Sequence, residues 1–111
     1  MESWHRFPRV MHATRYSIGR QLMHVLSEVI EVFRAFLWLK ITGGKNHEKL
    51  IEETFDLIHS CETLLWIIRL KFGHNMEYYI AGVEAKNRRR GYYLYDPHEL
   101  RRRAAETGRN L

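Results

Sequence analysis

The amino-acid sequence predicts an all-α fold, an antiparallel helical bundle of two long helices, a shorter third helix and a short C-terminal helix. The chain has only two prolines and seven glycines in 111 residues, which favours a few long elements over many short ones. Two long stretches carry apolar residues at helical spacing, and no stretch alternates apolar and polar residues as a half-buried strand would. A chain of this length is predicted to form one domain.

The first long helix is predicted to begin at Ser17 as its N-cap and to stop at Gly43 and Gly44. Its apolar residues recur at alternating steps of four and three, which makes a continuous seam along one side. The seam consists of Ile18, Leu22, Val25, Val29, Val32, Phe36 and Leu39. A second row widens the apolar face and favours contact with more than one neighbour, which we expect to include other copies of the chain. This row consists of Leu26, Ile30, Phe33 and Leu37.

The second long helix is predicted to be capped by Asn46 and to end at Gly73. Its apolar seam consists of Ile51, Phe55, Ile58, Leu65, Ile68 and Phe72. Only a few residues separate the two long helices, so the sequence predicts that they pack antiparallel.

The third helix is predicted to follow Asn75 and to stop at Gly91. Gly82 lies in its middle, where glycine costs about 1 kcal/mol relative to alanine, so we expect another backbone to approach closely there. Asp96 and Pro97 are a start signal for the short final helix.

These elements divide the chain into three parts. We expect an N-terminal extension over residues 1–16 with a frayed end, a helical bundle core over residues 17–91, and a basic, tyrosine-rich C-terminal extension over residues 92–111. The single cysteine, Cys61, excludes an internal disulfide framework, and we expect it to be a buried free thiol. No signal peptide and no membrane-spanning run is recognised, so a cytoplasmic protein without a membrane partner is expected.

The charge of the chain is unevenly distributed. The formal net charge is +5, yet residues 47–66 hold five acids against one lysine. Basic residues concentrate at both ends of the sequence, with Arg6, Arg9, Arg15 and Arg20 near the start and two arginine triplets near the end. Such asymmetry favours a polyanionic partner.

The two arginine triplets enclose a group of tyrosines that could stack on unpaired bases of a single-stranded nucleic acid. The candidate nucleic-acid-binding residues in this region are Lys86, Arg88, Arg89, Arg90, Tyr92, Tyr93, Arg101, Arg102 and Arg103. Two alternatives stay open from the sequence. The arginines could bind an acidic protein surface, as a protein-only adaptor would, and the tyrosine rings could simply close one end of the bundle.

No metal site and no cofactor is predicted. Asp56 and His59 have the i, i+3 spacing of di-iron helical bundles, but the motif occurs once rather than twice. We interpret the acids at positions 52, 53, 56 and 62 as an ordinary solvated face. The sequence also lacks a phosphate-binding glycine loop and a serine or cysteine triad, so we expect a protein that is not an enzyme.

One enzyme alternative rests on Arg69 and His74, which are separated by four residues in "RLKFGH". This spacing resembles the Arg-x(4–6)-His motif of the HEPN ribonucleases, which are small helical bundles. The resemblance implies a ribonuclease in which the pair acts across a dimer.

A second resemblance covers residues 7 to about 91. Phe-Pro-Arg at positions 7–9 and Arg-Tyr-Ser-Ile-Gly at positions 15–19 precede the two amphipathic helices, and "LLWIIRLKFG" closes the second helix. This order resembles the accessory variability determinant (Avd) proteins of diversity-generating retroelements and the related four-helix proteins of ribosomal RNA intervening sequences. Unlike the family pattern, the chain has only six residues before the Phe-Pro step and no Gly-Gly-Trp ending.

The resemblance implies a basic homo-oligomer, a pentamer, that binds a reverse transcriptase together with template RNA or an RNA–cDNA hybrid. In this role the protein supports mutagenic cDNA synthesis and catalyses nothing itself. The contacts implied are the basic residues at the helix ends, Arg15, Arg20, Arg69 and Lys71.

Overall fold

The computed structural model describes residues 4–93, and within them the predicted all-α fold class is confirmed. Three α-helices are present, α1 (Ile18–Ile41), α2 (His47–Phe72) and α3 (Met76–Arg89), together with a short 3-10 helix at Met11–Thr14. No strand occurs in this part of the chain. The predicted C-terminal helix lies outside the described residues, as do Arg101, Arg102 and Arg103.

The chain divides into two units, Met1–Met76 and Glu77–Leu111. The first unit contains the 3-10 helix, α1 and α2, and the second contains α3 after its first residue. None of the helices over residues 4–93 is long and apolar enough to cross a lipid bilayer.

The ends of α1 follow the predicted signals. The Ser17 hydroxyl accepts a hydrogen bond from the Arg20 backbone N–H at 3.1 Å, which satisfies one of the unpaired amides of the first turn. At the other end Gly43 and Gly44 have φ angles of 69° and 86°. The Gly44 N–H donates back to the Leu39 carbonyl at 2.8 Å, so the left-handed turn terminates the helix.

Helix α2 also ends where predicted, but it begins differently. Gly73 adopts a φ of 72°, and its N–H donates to the Arg69 carbonyl at 2.7 Å. Asn46 occupies the N-cap position, but its side chain makes no capping hydrogen bond, so the predicted capping interaction is wrong. Glu48 in the first turn still complements the positive end of the helix dipole.

Helix α3 ends in a turn around Gly91, which has a φ of 75°. The Tyr92 N–H donates to the Asn87 carbonyl at 2.9 Å, which closes this turn. The close approach expected at Gly82 is not found. No heavy atom of the described residues, apart from its own helix backbone and chain neighbours, lies within 4 Å of the position that a Cβ would take there.

Helices α1 and α2 pack through small and polar side chains. Gln21 is fully buried, and its Nε2 donates to the Ser60 backbone oxygen at 3.0 Å and to the Ser60 hydroxyl at 3.1 Å. Ala35 on α1 and Thr63 on α2 are buried as well.

This packing departs from the predicted seam of α1. The buried positions Gln21 and Ala35 lie one residue before the seam positions Leu22 and Phe36, which stay exposed at 50% and 38%. Ile18, Val25, Val32 and Leu39 of the seam are half-buried, so the covered face keeps this row and takes Gln21 and Ala35 in place of Leu22 and Phe36. Much of the large apolar surface of α1 therefore remains uncovered.

The residues before α1 form a packed N-terminal segment, residues 4–16, and the expectation of a frayed end is wrong for them. The Trp4 and Trp66 ring centroids are 4.9 Å apart, and the Phe7 ring stacks on His59 at 4.7 Å. The Glu62 carboxylate accepts hydrogen bonds from the backbone N–H groups of Arg6 and Phe7 at 2.8 and 2.9 Å. Aromatic packing and this anchor hold the segment on α2.

Cys61 is a free thiol on the exposed side of α2, so the expectation that it is buried is wrong. It lies one position from the buried Ser60, on a different azimuth of the helix. Partial desolvation, and secondarily the negative charge of Glu62, raise the pKa of the Cys61 thiol. The thiol is therefore protonated at neutral pH.

Candidate nucleic-acid interface

Three arginines stack on two aromatic rings in the first unit. The guanidinium carbon of Arg9 lies 5.3 Å from the centroid of the Trp66 ring, and that of Arg69 lies 5.9 Å from the same ring. Arg20 stacks on Tyr16 at 3.8 Å. These distances are typical of cation–π contacts, which hold the charged groups in defined positions. We call these five residues the arginine–aromatic cluster.

The cluster is assembled from stretches that are far apart in the sequence. Tyr16 packs against the small hydrophobic core formed by Ala13, Trp66 and Ile67. Arg9 belongs to the N-terminal segment, Arg20 to the first turn of α1, and Arg69 to the last turn of α2. The core therefore brings the start of α1, the end of α2 and the N-terminal segment to one place.

The electrostatics of this place favour an anion. The first turn of α1 carries the positive end of the helix dipole, which attracts negative groups. Arg9, Arg15 and Arg20 are exposed, and none of them forms an ion pair with an acid among residues 4–93. Arg69 is half-buried in the last turn of α2, where it also complements the negative end of that helix.

The geometry suits phosphate groups better than bases. Trp66 is only 8% exposed, so its ring is not accessible for stacking on a base. Tyr16 is half-buried, and the Arg20 guanidinium lies over its ring. Guanidinium groups fixed in this way can bind phosphate oxygens through paired N–H donors. The cluster can thus recognise a nucleic-acid backbone without reading its sequence.

Among residues 4–93, the sequence-predicted contacts lie in both units of the chain. Arg15, Arg20 and Arg69 lie in or beside the cluster, and Lys71 is exposed in the same last turn of α2 as Arg69. The other candidates among residues 4–93 belong to the second unit. Lys86, Arg88 and Arg89 lie in the last turn of α3, followed by Arg90, an exposed Tyr92 and a half-buried Tyr93.

Arg9 is the arginine of the arginine–aromatic cluster that the sequence analysis did not select as a candidate. The sequence marks it only as part of the basic N-terminal charge, although it is the third residue of the Phe-Pro-Arg step. The structure shows what the first and third residues of Phe-Pro-Arg contact. Phe7 stacks on His59, and two residues later the Arg9 side chain reaches the Trp66 ring.

The two residues of the ribonuclease alternative have separate ring neighbours. Arg69 stacks on Trp66, and the His74 ring centroid lies 6.2 Å from that of Phe72. His74 is exposed and follows the Gly73 turn that terminates α2.

The acidic residues of α2 are not a uniformly solvated face, which corrects the sequence interpretation. Glu53 is buried and forms an ion pair with Lys49 at 2.8 Å, and Glu62 anchors the N-terminal segment. The hydrogen bond from Lys49 to Glu53, with the negative charge of Glu53, raises the pKa of the Lys49 ammonium.

Comparisons of this chain with protein-family models, with curated proteins and with solved structures found no match. The resemblance to the Avd proteins therefore rests on the motifs and their order in the sequence.

Proposed function

We propose that this chain is a non-catalytic accessory protein of a diversity-generating retroelement. In this role it binds template RNA or an RNA–cDNA hybrid in the cytoplasm and docks on a reverse transcriptase to support mutagenic cDNA synthesis. The binding half of the proposal rests on the arginine–aromatic cluster. The retroelement half rests on the resemblance of residues 7 to about 91 to the Avd proteins.

The cluster supports nucleic-acid binding because it joins three features of a phosphate site. It has exposed guanidinium groups at Arg9 and Arg20, aromatic rings that hold them in place, and the N-terminus of α1 beside them. A surface of solvated lysines would lack such fixed geometry. The basic last turn of α3 adds further positive charge to the chain.

The proposal includes an antiparallel α1–α2 pair that self-associates. Antiparallel packing is supported by two observations. Gln21 near the start of α1 bonds to Ser60 in the second half of α2, and Ala35 nearer the end of α1 lines a cleft with Asn46 and Lys49 at the start of α2. Self-association is supported by the exposed apolar residues of α1. Five copies would carry a charge of about +25, which would favour nucleic-acid binding by counterion release.

The test is RNA binding by the full chain at about 50 and 200 mM salt, with the recovered RNA analysed on a gel. We expect retention of intact RNA that weakens steeply with salt. Replacing Arg9, Arg20 and Arg69 with glutamine should lower the slope of log K against log salt by about 2 to 3 units, close to 1 for each phosphate that is no longer neutralised.

Arg34→Gln is the matched control for the single variant Arg20→Gln, because each removes one positive charge from α1 and Arg34 lies elsewhere on the helix, paired with Glu31 at 3.1 Å. An equal loss of binding in this variant would show that only total charge matters, and would remove the cluster from the proposal. RNA fragments that disappear with His74→Ala would indicate the HEPN-like ribonuclease instead. No retention even at low salt would leave an acidic protein as the partner of the arginines.

A further inference from the structure

Both aromatic rings of the arginine–aromatic cluster are covered by neighbours in the folded chain. The Tyr16 ring stacks on His12 with the two ring centroids 4.1 Å apart, and the Arg20 guanidinium carbon lies 3.8 Å from the Tyr16 centroid. Two groups so close to one centroid cannot share a face of the ring, because their atoms would overlap. Both faces of Tyr16 are therefore occupied, and a base could stack there only by displacing one of these groups.

The Trp66 ring is closed in a similar way. Its centroid lies 4.9 Å from that of Trp4 and 5.0 Å from that of His5, and the guanidinium groups of Arg9 and Arg69 lie at 5.3 and 5.9 Å. Only 8% of the residue is exposed. The cluster therefore offers guanidinium groups to a ligand but no free ring face.

This combination distinguishes between two forms of nucleic acid. Proteins that bind unpaired strands add aromatic platforms to a basic groove, and stacking contributes about 1–3 kcal/mol per base. A base-paired helix stacks its bases inside and is recognised largely through its shape and its backbone. It is also ordered before it binds, whereas a single strand loses conformational freedom when its phosphates fit guanidinium groups held in fixed positions.

We propose that the arginine–aromatic cluster binds base-paired nucleic acid in preference to unpaired strands. Of the two proposed ligands, the RNA–cDNA hybrid is then the one that it holds. This inference rests on the proposed nucleic-acid function and specifies the ligand of the same site. Arg9 and Arg20 contact the phosphates, because both are exposed and neither is paired with an acid among residues 4–93. The positive end of the α1 dipole adds to the attraction.

Two exposed rings elsewhere in the first unit bear on this preference. Trp38 is 51% exposed near the end of α1, but the cleft that it lines carries more acidic than basic side chains, which disfavours a phosphate chain. Phe72 is 62% exposed in the last turn of α2, the turn that also contains Arg69. Phe72 is therefore the ring at which an unpaired base would compete, and Phe72→Leu tests it.

The experiment measures binding of the full chain to one labelled RNA strand of about 20 nucleotides, alone and annealed to its complementary DNA, at about 150 mM salt. We expect the hybrid to bind at least about 10-fold more tightly than the single strand. Replacing Arg9, Arg20 and Arg69 with glutamine should weaken hybrid binding by at least about 10-fold and single-strand binding by at most about 3-fold.

The matched control removes three positive charges outside the cluster. The same change to glutamine is made at three exposed positions of the first unit, Arg34, Lys40 and Lys45. This control should lower the two affinities by nearly the same factor, because it removes charge without removing a guanidinium group of the cluster.

A charge-neutral change gives a second readout. Arg20→Lys keeps the positive charge but loses the planar group that stacks on Tyr16 and can donate paired N–H groups to a phosphate. It should weaken hybrid binding by about 3-fold or more and leave single-strand binding unchanged. Arg34→Lys is its control and should alter neither affinity. Circular dichroism checks the fold of each variant, and if the triple variant does not fold, the exposed Arg20→Lys substitution decides.

The possible failures separate this preference from the proposed function. Equal affinity for the two ligands, or equal losses in the triple cluster variant, would overturn the preference and leave the proposed RNA binding intact. A loss of single-strand binding in Phe72→Leu that exceeds the loss of hybrid binding would also overturn it, since a base would then stack beside the cluster. If neither ligand is retained at about 50 mM salt, both the proposed function and this inference fail.

Discussion

Single residues decide how the N-terminal segment is held. The Glu62 carboxylate accepts two backbone hydrogen bonds, from Arg6 and Phe7, across more than fifty positions of sequence. Hydrogen bonds to a charged acceptor are stronger than neutral ones. Two residues further along, the Arg9 guanidinium reaches the Trp66 ring. The position of Arg9 in the candidate interface therefore depends on Glu62.

Glu62→Ala should destabilise the fold by about 1–3 kcal/mol, because two backbone N–H groups lose their acceptor. Urea denaturation measures this change, and amide hydrogen exchange should show loss of protection at Phe7. RNA binding should weaken as well, since Arg9 is released from Trp66.

The control is Glu52→Ala, which removes an exposed acid from the same helix. If the two variants lose equal stability, or if the Phe7 amide keeps its protection in Glu62→Ala, the anchoring role of Glu62 is wrong.

At the scale of elements, glycines act in two different ways. Gly73 and Gly91 adopt the left-handed conformation, where a side chain is strained, and they end α2 and α3. Gly82 lies inside α3, with open space where its Cβ would be. The same residue type therefore stabilises the chain at a helix end and weakens a helix in its interior.

Alanine substitutions at these two kinds of position should act in opposite directions. Gly73→Ala should destabilise the chain by about 1 kcal/mol, because alanine is strained at a φ of 72°. Gly82→Ala should stabilise α3 by about 0.5–1 kcal/mol, since alanine is the better helix former and nothing obstructs it.

Amide exchange of α2 and α3 measures both effects, and each variant is the control of the other. A destabilising effect of Gly82→Ala would contradict the open surroundings seen in the single chain. It would show instead that a second backbone approaches Gly82 in the assembled protein.

At the scale of the molecule, a row of large apolar side chains on α1 is left uncovered. Phe33 and Leu37 are 66% and 62% exposed on α1, in a row with Leu26 and Ile30. A row of this kind exceeds the scattered apolar residues that are normal on a protein surface. Contact with further copies of the chain would remove it from water.

Replacing both Phe33 and Leu37 with glutamate should therefore shift the protein to a smaller species, measured by sedimentation equilibrium over a range of concentrations. The RNA affinity of this smaller species should be lower than that of the oligomer, because it carries fewer positive charges.

Arg34→Glu is the matched control, since it changes the net charge by the same amount within the same stretch of α1. An unchanged mass for the Phe33 and Leu37 variant would show that this row is not a contact between copies.

The positions of the helix ends are determined by the sequence alone. Ser17 starts α1, and Gly43, Gly73 and Gly91 end the helices at the predicted positions. These signals act within one helical turn, so each needs only its neighbours in the chain. The all-α fold class follows from the same local information together with the apolar spacing.

Only the tertiary structure decided which side of each helix is covered. Periodicity shows that α1 has an apolar face. It does not decide between two neighbouring rows of positions, 21, 28 and 35 or 22, 29 and 36, which are one residue and therefore about 100° apart around the helix. The Gln21 side chain is on the covered side because it hydrogen-bonds to Ser60 of α2. The same holds for Arg9 on Trp66, because residues from separate segments become neighbours only when the chain packs.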